Sequence, residues 1–148
     1  MSKIKAFLKQ IEMFMGLSDS MLDEVAKLCQ PVTYEAESTI IERNSPPTHF
    51  YLIQEGTVRI ITTSAETAQD AAEAVVVTLG NGQSFGEMGL VDNGTRSATV
   101  KAITRTELLV IDCALLRNLC EANTDLGYQV MRNIAADLSF KLRNRNLI

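Results

Sequence analysis

Between residues 32 and 111 the sequence breaks into short β-type runs separated by turn residues, and this pattern constrains the fold more than any other feature. The runs are Val32–Glu35, Thr39–Glu42, His49–Gln54, Thr57–Thr63, Ala74–Leu79, Arg96–Ile103 and Glu107–Ile111. Asn44-Ser45-Pro46-Pro47, Gly56, Asn81-Gly82 and Asn93-Gly94 stand between them. Many short strands with such punctuation predict a sandwich, roll or barrel. Residues 64–73 are small and polar and read as an exposed hairpin loop, Ala-rich enough to hold a short helical turn.

Helical periodicity brackets this region. Ile4, Phe7, Leu8, Ile11, Phe14 and Met15 predict a helix over residues 4–15, stopped by Gly16. Ser18 caps a second helix with the face Met21, Leu22, Val25 and Leu28, and Pro31 marks its end. After the strands, Asp112 reads as the cap of a helix carrying Leu115, Leu116 and Leu119. Asn123 or Thr124 caps a longer one reaching Arg145, with Leu126, Val130, Ile134, Leu138 and Leu142 along one stripe.

The chain has 148 residues, the size of one domain and enough to bury a core without disulfides or metals. Its three cysteines, Cys29, Cys113 and Cys120, form no Cys-x-x-Cys pair and read as buried thiols. A single histidine, His49, cannot build a multi-histidine metal site, and no Gly-x-Ser-x-Gly elbow is present, so no enzyme is expected. A net charge of −4 argues against a nucleic-acid partner. The basic cluster Lys141, Arg143 and Arg145 complements a helix C-terminus. No apolar run is long enough to span a bilayer and the N-terminus lacks a signal-peptide core, so no membrane partner and a cytoplasmic location are expected.

The segment that carries chemistry is Phe85 to Val100. Arg96 opens a strand in which Arg96, Ala98, Val100 and Ala102 share one face and Ser97, Thr99 and Lys101 the other. The arginine therefore heads an inward apolar row, where an unpaired charge is costly and an anion or a route to water is needed. A planar guanidinium suits phosphate or carboxylate. Upstream, Gly82, Gly86 and Gly89 allow close backbone approach, and Glu87–Val91 fits one helical turn whose free N–H groups could meet an anion. Glu87 could accept from a sugar hydroxyl. On residue types alone a structural account also stands: Glu87 favours a helix start, and Arg96 pairs with Glu87 or Asp92.

Phe85-Gly86-Glu87, followed by Arg96-Ser97-Ala98-Thr99-Val100, resembles the phosphate-binding cassette of cyclic nucleotide-binding domains. That family includes the bacterial catabolite activator and the regulatory subunits of protein kinase A. Phe50-Tyr51-Leu52-Ile53-Gln54-Glu55-Gly56-Thr57-Val58 is similar to the family's β-hairpin, and the flanking helices follow in the same order. The resemblance implies a mainly β fold with flanking helices, a double-stranded β-helix or jelly-roll-like β-roll with N-terminal helices and two C-terminal helices. It implies one domain over 1–148: helices in 1–31, the β-roll in 32–111 with its cassette at 85–98, and helices in 112–148.

The resemblance also assigns roles. Glu87 would accept from the ribose 2′-hydroxyl, Arg96 would pair with the cyclic phosphate and Ser97 would bond it. Gly86 would pass close to the sugar, the Gly89 N–H would point at the phosphate, and Phe85, Met88 and Ala98 complete the cassette's ligand contacts. Lys141, Arg143, Asn144 and Arg145 are candidates to meet the base, with Asn144 offering both donor and acceptor. Thr95 stands where eukaryotic relatives often have proline, which brings the chain nearer the bacterial branch. Asn44-Ser45 replaces a common Gly-Asp turn, and asparagine tolerates left-handed geometry.

The expected function is a stand-alone sensor of a cyclic nucleotide, cAMP first and cGMP second, with no cofactor. The last helix would transmit occupancy to an unidentified protein partner and pair with its twin in a homodimer. Two alternatives compete: a ligand-free dimerisation or docking module of the same fold, and a fragment of a catabolite-activator-type transcription regulator lacking its DNA-binding part.

Overall fold

The computed structural model describes residues 2–62 and 75–144. The chain forms two compact units: the strands, Gln30–Cys113, and the helical segments that precede and follow them. The loop expected at 64–73 lies outside the described residues.

Among the described residues, eight strands make the first unit: β1 (Gln30–Tyr34), β2 (Thr39–Ile41), β3 (His49–Glu55), β4 (Val58–Thr62), β5 (Val75–Leu79), β6 (Ser84–Phe85), β7 (Thr99–Ala102) and β8 (Thr106–Asp112). They pair antiparallel in two four-stranded sheets, ordered β1-β8-β3-β6 and β2-β7-β4-β5. This is the expected mainly β, jelly-roll-like β-roll with helices at both ends of the sequence. Its interior is Ile40, Ile41, Ile53, Val58, Phe85, Val100, Ala102 and Leu108, with Tyr34, Tyr51 and Ile60 packed against them.

Strand β3 keeps the alternation of a half-buried strand until Leu52 and Ile53, which are both buried. The register with β8 shifts between Ile53 and Glu55, so a bulge turns two consecutive apolar side chains inward. Pro31, expected to follow a helix, instead lies in β1 opposite Leu109. β1 is an edge strand bonded to β8 alone, and an edge tolerates a residue with no N–H.

Arg96 does not open a strand as expected, since β7 begins at Thr99. The turn Asn44-Ser45 competes for its backbone. Arg96 N donates to Ser45 O at 2.9 Å, and Asn44 N donates to Arg96 O at 2.8 Å. Asn44 has φ 72°, the left-handed geometry that its residue type permits. Period-2 alternation still holds through the irregular stretch: Val100 and Ala102 are buried, Arg96 and Ala98 half-buried, Ser97 and Lys101 exposed.

In the helical unit, the single helix expected at 4–15 is broken. α1 (Lys3–Leu8) ends early, and Glu12–Phe14 forms a 3-10 turn after Ile11, which is extended at φ −85°, ψ 125°. The break lets Ile11, Met13 and Phe14 all be buried, which one straight helix face could not do. α2 (Asp19–Ala26) begins at Ser18, whose hydroxyl accepts from Met21 N at 3.3 Å. Lys5 Nζ sits 3.0 Å from Asp23 Oδ1 and ties α1 to α2. α3 (Cys113–Ala122) follows β8 directly, and α4 (Thr124–Asn144) starts at Asn123, whose Oδ1 accepts from Leu126 N at 3.2 Å. All three cysteines are free and buried. No helix among the described residues is long and apolar enough to cross a membrane.

Candidate functional site

The segment from β6 to β7 lines one cleft together with Ile41 and Ile60. Phe85 closes β6 and stacks on Tyr51 of β3, ring centroids 5.1 Å apart at 14° between planes. Burial raises the Tyr51 phenol above its ordinary value. Neighbouring Tyr34 adds to the rise, while the Arg96 cation opposes it.

Gly86 comes next, at φ 85° and ψ 5°. This left-handed residue swings the chain from strand into a 3-10 turn, Glu87–Leu90. A Cβ on Gly86 would lie 3.1 Å from Arg96 Nη1 and 3.3 Å from His49 O, so the missing side chain is what admits the arginine. Gly89 is tighter still: a Cβ there would meet Pro47 O at 2.6 Å and Cys113 Sγ at 3.0 Å. The turn is thereby pressed onto the β2–β3 loop.

Arg96 reaches back across this turn. Its Nη1 donates to Gly86 O at 2.9 Å, and its Nη2 donates to His49 O. A guanidinium carries five N–H donors, so two carbonyls orient the fork and leave donors for an anion. The His49 ring is placed by its own contacts, with Nε2 3.7 Å from Asp112 Oδ2 and Nδ1 2.9 Å from Thr48 Oγ1. Glu87 is half-buried, and its Oε2 is shielded from solvent. The Gly89 N–H, which the resemblance aims at the phosphate, donates to Gly86 O at 3.4 Å.

Arg96 and the glycine-hinged turn help to line a cleft of about 360 Å³, and Glu87, singled out in the sequence, is not among its lining residues. Phe85, Gly86, Met88, Gly89, Arg96, Ser97 and Ala98, all singled out in the sequence, line it together. Ile41, Ile60 and Val100 supply an apolar wall, and Asp92, Gly94 and Thr95 its rim. The lining therefore combines apolar side chains, as a ring system needs, with a cation, hydroxyls and backbone groups. Asn144 is not among the residues of this cleft. It lies in the helical unit, exposed, with Nδ2 donating to Phe140 O at 3.0 Å.

Sequence reasoning missed the receiving side. The carbonyls of Ser45, Pro47 and His49 hold Arg96 or press on Gly89. Backbone acceptors have no residue-type signature, and only the Asn44-Ser45-Pro46-Pro47 turn hinted that this loop was special. Among the described residues no cluster of His, Cys, Asp or Glu is arranged to hold a metal.

In class the chain is a mainly β domain, a β-roll with a cleft lined in part by a glycine-hinged 3-10 turn and by one arginine. It belongs to the cyclic nucleotide-binding domain family, whose sequence profile matches residues 31–123. It is 30% identical over 129 residues to the cAMP-dependent protein kinase regulatory subunit of Schizosaccharomyces pombe, covering 87% of this chain and 28% of that protein. It is 33% identical over 127 residues to a cAMP-activated global transcriptional regulator of Haemophilus influenzae, covering 85% of this chain and 53% of that protein. Thermus thermophilus catabolite activator protein superposes with a TM-score of 0.76 at 29% identity, over 92% of this chain and 60% of that one. The chain thus spans between about a quarter and about half of the length of these two curated relatives.

Proposed function

We propose that this chain is a cyclic nucleotide sensor, a binding module without catalysis of its own, and that its ligand is cAMP. The observation that carries the reading is the joint placement of Gly86, Gly89, Arg96, Ser97 and Ala98 around one cleft, with the Arg96 fork oriented by two carbonyls. The cyclic phosphate would take the donors that Arg96 keeps, together with the Ser97 hydroxyl. Glu87 would accept from the ribose 2′-hydroxyl. The base would rest on the apolar wall of Ile41, Ile60 and Val100. A cleft of about 360 Å³ falls in the range usual for small-molecule sites, roughly 300–1,000 Å³. It favours this reading over the ligand-free docking module, for which a filled cleft would be the expected mark.

The choice of cAMP leans on the relatives, since the kinase subunit and the regulator described above are both named for it. Occupancy would be passed to the helical unit through α4, and a ligand can shift that equilibrium only by its differential affinity for the two states. Asn144 and the neighbouring basic residues remain the candidates to meet the base. The same reading makes α4 a homodimer contact, where Tyr128 and Phe140 are each 68% exposed. A cytoplasmic, regulatory setting follows from it.

The test is calorimetric titration of nucleotide-stripped protein with cAMP and then cGMP, beside Arg96→Ala. Binding at micromolar or tighter affinity that the variant loses supports the sensor and names its ligand. A well-folded protein that binds neither nucleotide overturns it.

A further inference from the structure

The cleft holds opposite charges on one short loop. Of the side chains that line it, among the described residues, Arg96 is the one cation and Asp92 the one carboxylate, while Glu87, assigned above to the ribose, lies outside this lining. Asp92 is held in place: its Oδ1 accepts from Gly94 N at 2.9 Å, and its own N–H donates to Met88 O at 3.2 Å. The loop therefore fixes a negative charge at the rim of the cleft that Arg96 enters.

This pairing is informative about phosphate charge. A cyclic phosphodiester carries one negative charge, which one guanidinium balances. Opening the ring gives a monoester that carries about −1.5 to −2 at neutral pH. The second charge has no further cation among the side chains that line the cleft, where the Asp92 carboxylate is the other charged group. We propose that Asp92 is a specificity-determining residue that selects singly charged phosphodiesters and rejects the ring-opened 5′-monophosphate by like-charge repulsion. The inference rests on the cyclic nucleotide reading above and adds how the site would ignore the product that accumulates when its ligand is hydrolysed. Asp92 is exposed, so screening keeps the effect modest, about three- to tenfold per added ligand charge.

The experiment compares wild type with Asp92→Asn, which keeps an oxygen for the Gly94 N–H and so preserves the turn. Three probes are titrated at low and high salt: cAMP, 5′-AMP and adenosine 5′-methyl phosphate, the last being linear yet singly charged. AMP is also read by displacement of bound cAMP up to millimolar concentration. The expected result is that AMP gains affinity about three- to tenfold beyond the gain of cAMP, that the methyl ester follows cAMP, and that the excess shrinks with salt. Equal gains for AMP and the methyl ester overturn the proposal, as does an AMP that displaces cAMP from neither protein. Failure of a folded wild type to bind cAMP or cGMP overturns the cyclic nucleotide reading and this inference with it, whereas cAMP binding with an unchanged AMP ratio overturns the inference alone.

Discussion

The guanidinium of Arg96 donates to the carbonyl oxygen of Gly86, 2.9 Å away across ten residues of chain. The contact locks the far end of the glycine-hinged turn to the residue that would bind the ligand, with His49 O as the second anchor. Two backbone carbonyls thus fix the orientation of the Arg96 fork.

Replacing Arg96 should therefore affect affinity and folding differently. Arg96→Ala is expected to weaken cAMP binding by about 2–5 kcal/mol, the usual range when a buried charge partner is removed. It should also cost about 1–2 kcal/mol of stability, because two part-buried carbonyls lose donors. Arg96→Lys keeps the charge but not the planar fork, and should recover little of the affinity. Titration and urea unfolding of the three proteins measure both quantities. A lysine variant that binds as tightly as wild type would show that charge alone matters and that the fork geometry is incidental.

Gly89 offers a test of the turn rather than of the cation. A Cβ at this position would stand 2.6 Å from Pro47 O, a backbone atom that cannot swing aside. Gly89→Ala should push the 3-10 turn off the β2–β3 loop, cost about 1–3 kcal/mol by overpacking, and lower ligand affinity at the same time. Gly82 serves as the converse control: it has positive φ, at 84°, which Gly89 does not, and a Cβ there meets nothing within 4 Å. Its alanine variant should carry only the left-handed cost of about 1–2 kcal/mol and leave affinity unchanged. Matching losses of affinity in both variants would show that affinity follows general destabilisation and not the contact with Pro47.

The elements that periodicity could reveal were legible because side-chain burial repeats along them. Seven of the eight strands fall where alternation and turn residues put them, and Ser18 and Asn123 cap the helices they were expected to cap. What failed was set by tertiary contacts. β6 has two residues, too short to show a period, and exists because Tyr51 and Leu52 offer it partners. The helix expected at 4–15 breaks because Ile11, Met13 and Phe14 gain more from burial than the helix gains from continuing. At the cleft, Phe85, Gly86, Met88, Gly89, Arg96, Ser97 and Ala98 come together as their residue types suggested, while Glu87 and Asn144 lie outside its lining. The backbone carbonyls of Ser45, Pro47 and His49 were not legible, since any residue supplies one. The start of β7 moved from Arg96 to Thr99 for a related reason: the backbone of Arg96 bonds to the turn at Asn44 and Ser45.

Within the helical unit, Asn133 of α4 acts as a clamp. Its Nδ2 donates to Met13 O and to Met15 O, each at 2.9 Å, while its Oδ1 accepts from Gln129 Nε2 at 3.0 Å. The broken first helix leaves these two carbonyls without helical partners, and the amide supplies both donors. Asn133→Asp removes the donors and puts a negative charge beside two carbonyl oxygens. It should cost about 2–3 kcal/mol, more than the loss of one neutral hydrogen bond. Hydrogen exchange of the amides at 12–17 should quicken before that of the β-roll. Uniform acceleration across the chain would mean that the clamp supports global rather than local stability.

Alkaline pH should unfold this chain through its thiols. Burial pushes the Cys29 thiol up to about 12 from 9.0, and it raises Cys120 as well, with Glu121 adding to that rise. Both groups have folded-state values above the unfolded ones, so their contribution to stability is intact below pH 9. As the pH rises, the unfolded chain releases these protons first and is favoured. For Cys29 alone the slope is about −1.4 kcal/mol per pH unit between 9 and about 12. Cys29→Ala removes that share of the slope while costing some packing at neutral pH, so it should lower stability at pH 7.5 yet narrow the gap to wild type by pH 10.5. Urea unfolding at pH 7.5, 9 and 10.5 measures the difference. Parallel curves for the two proteins across that range would mean that the Cys29 thiol ionises as readily in the fold as outside it.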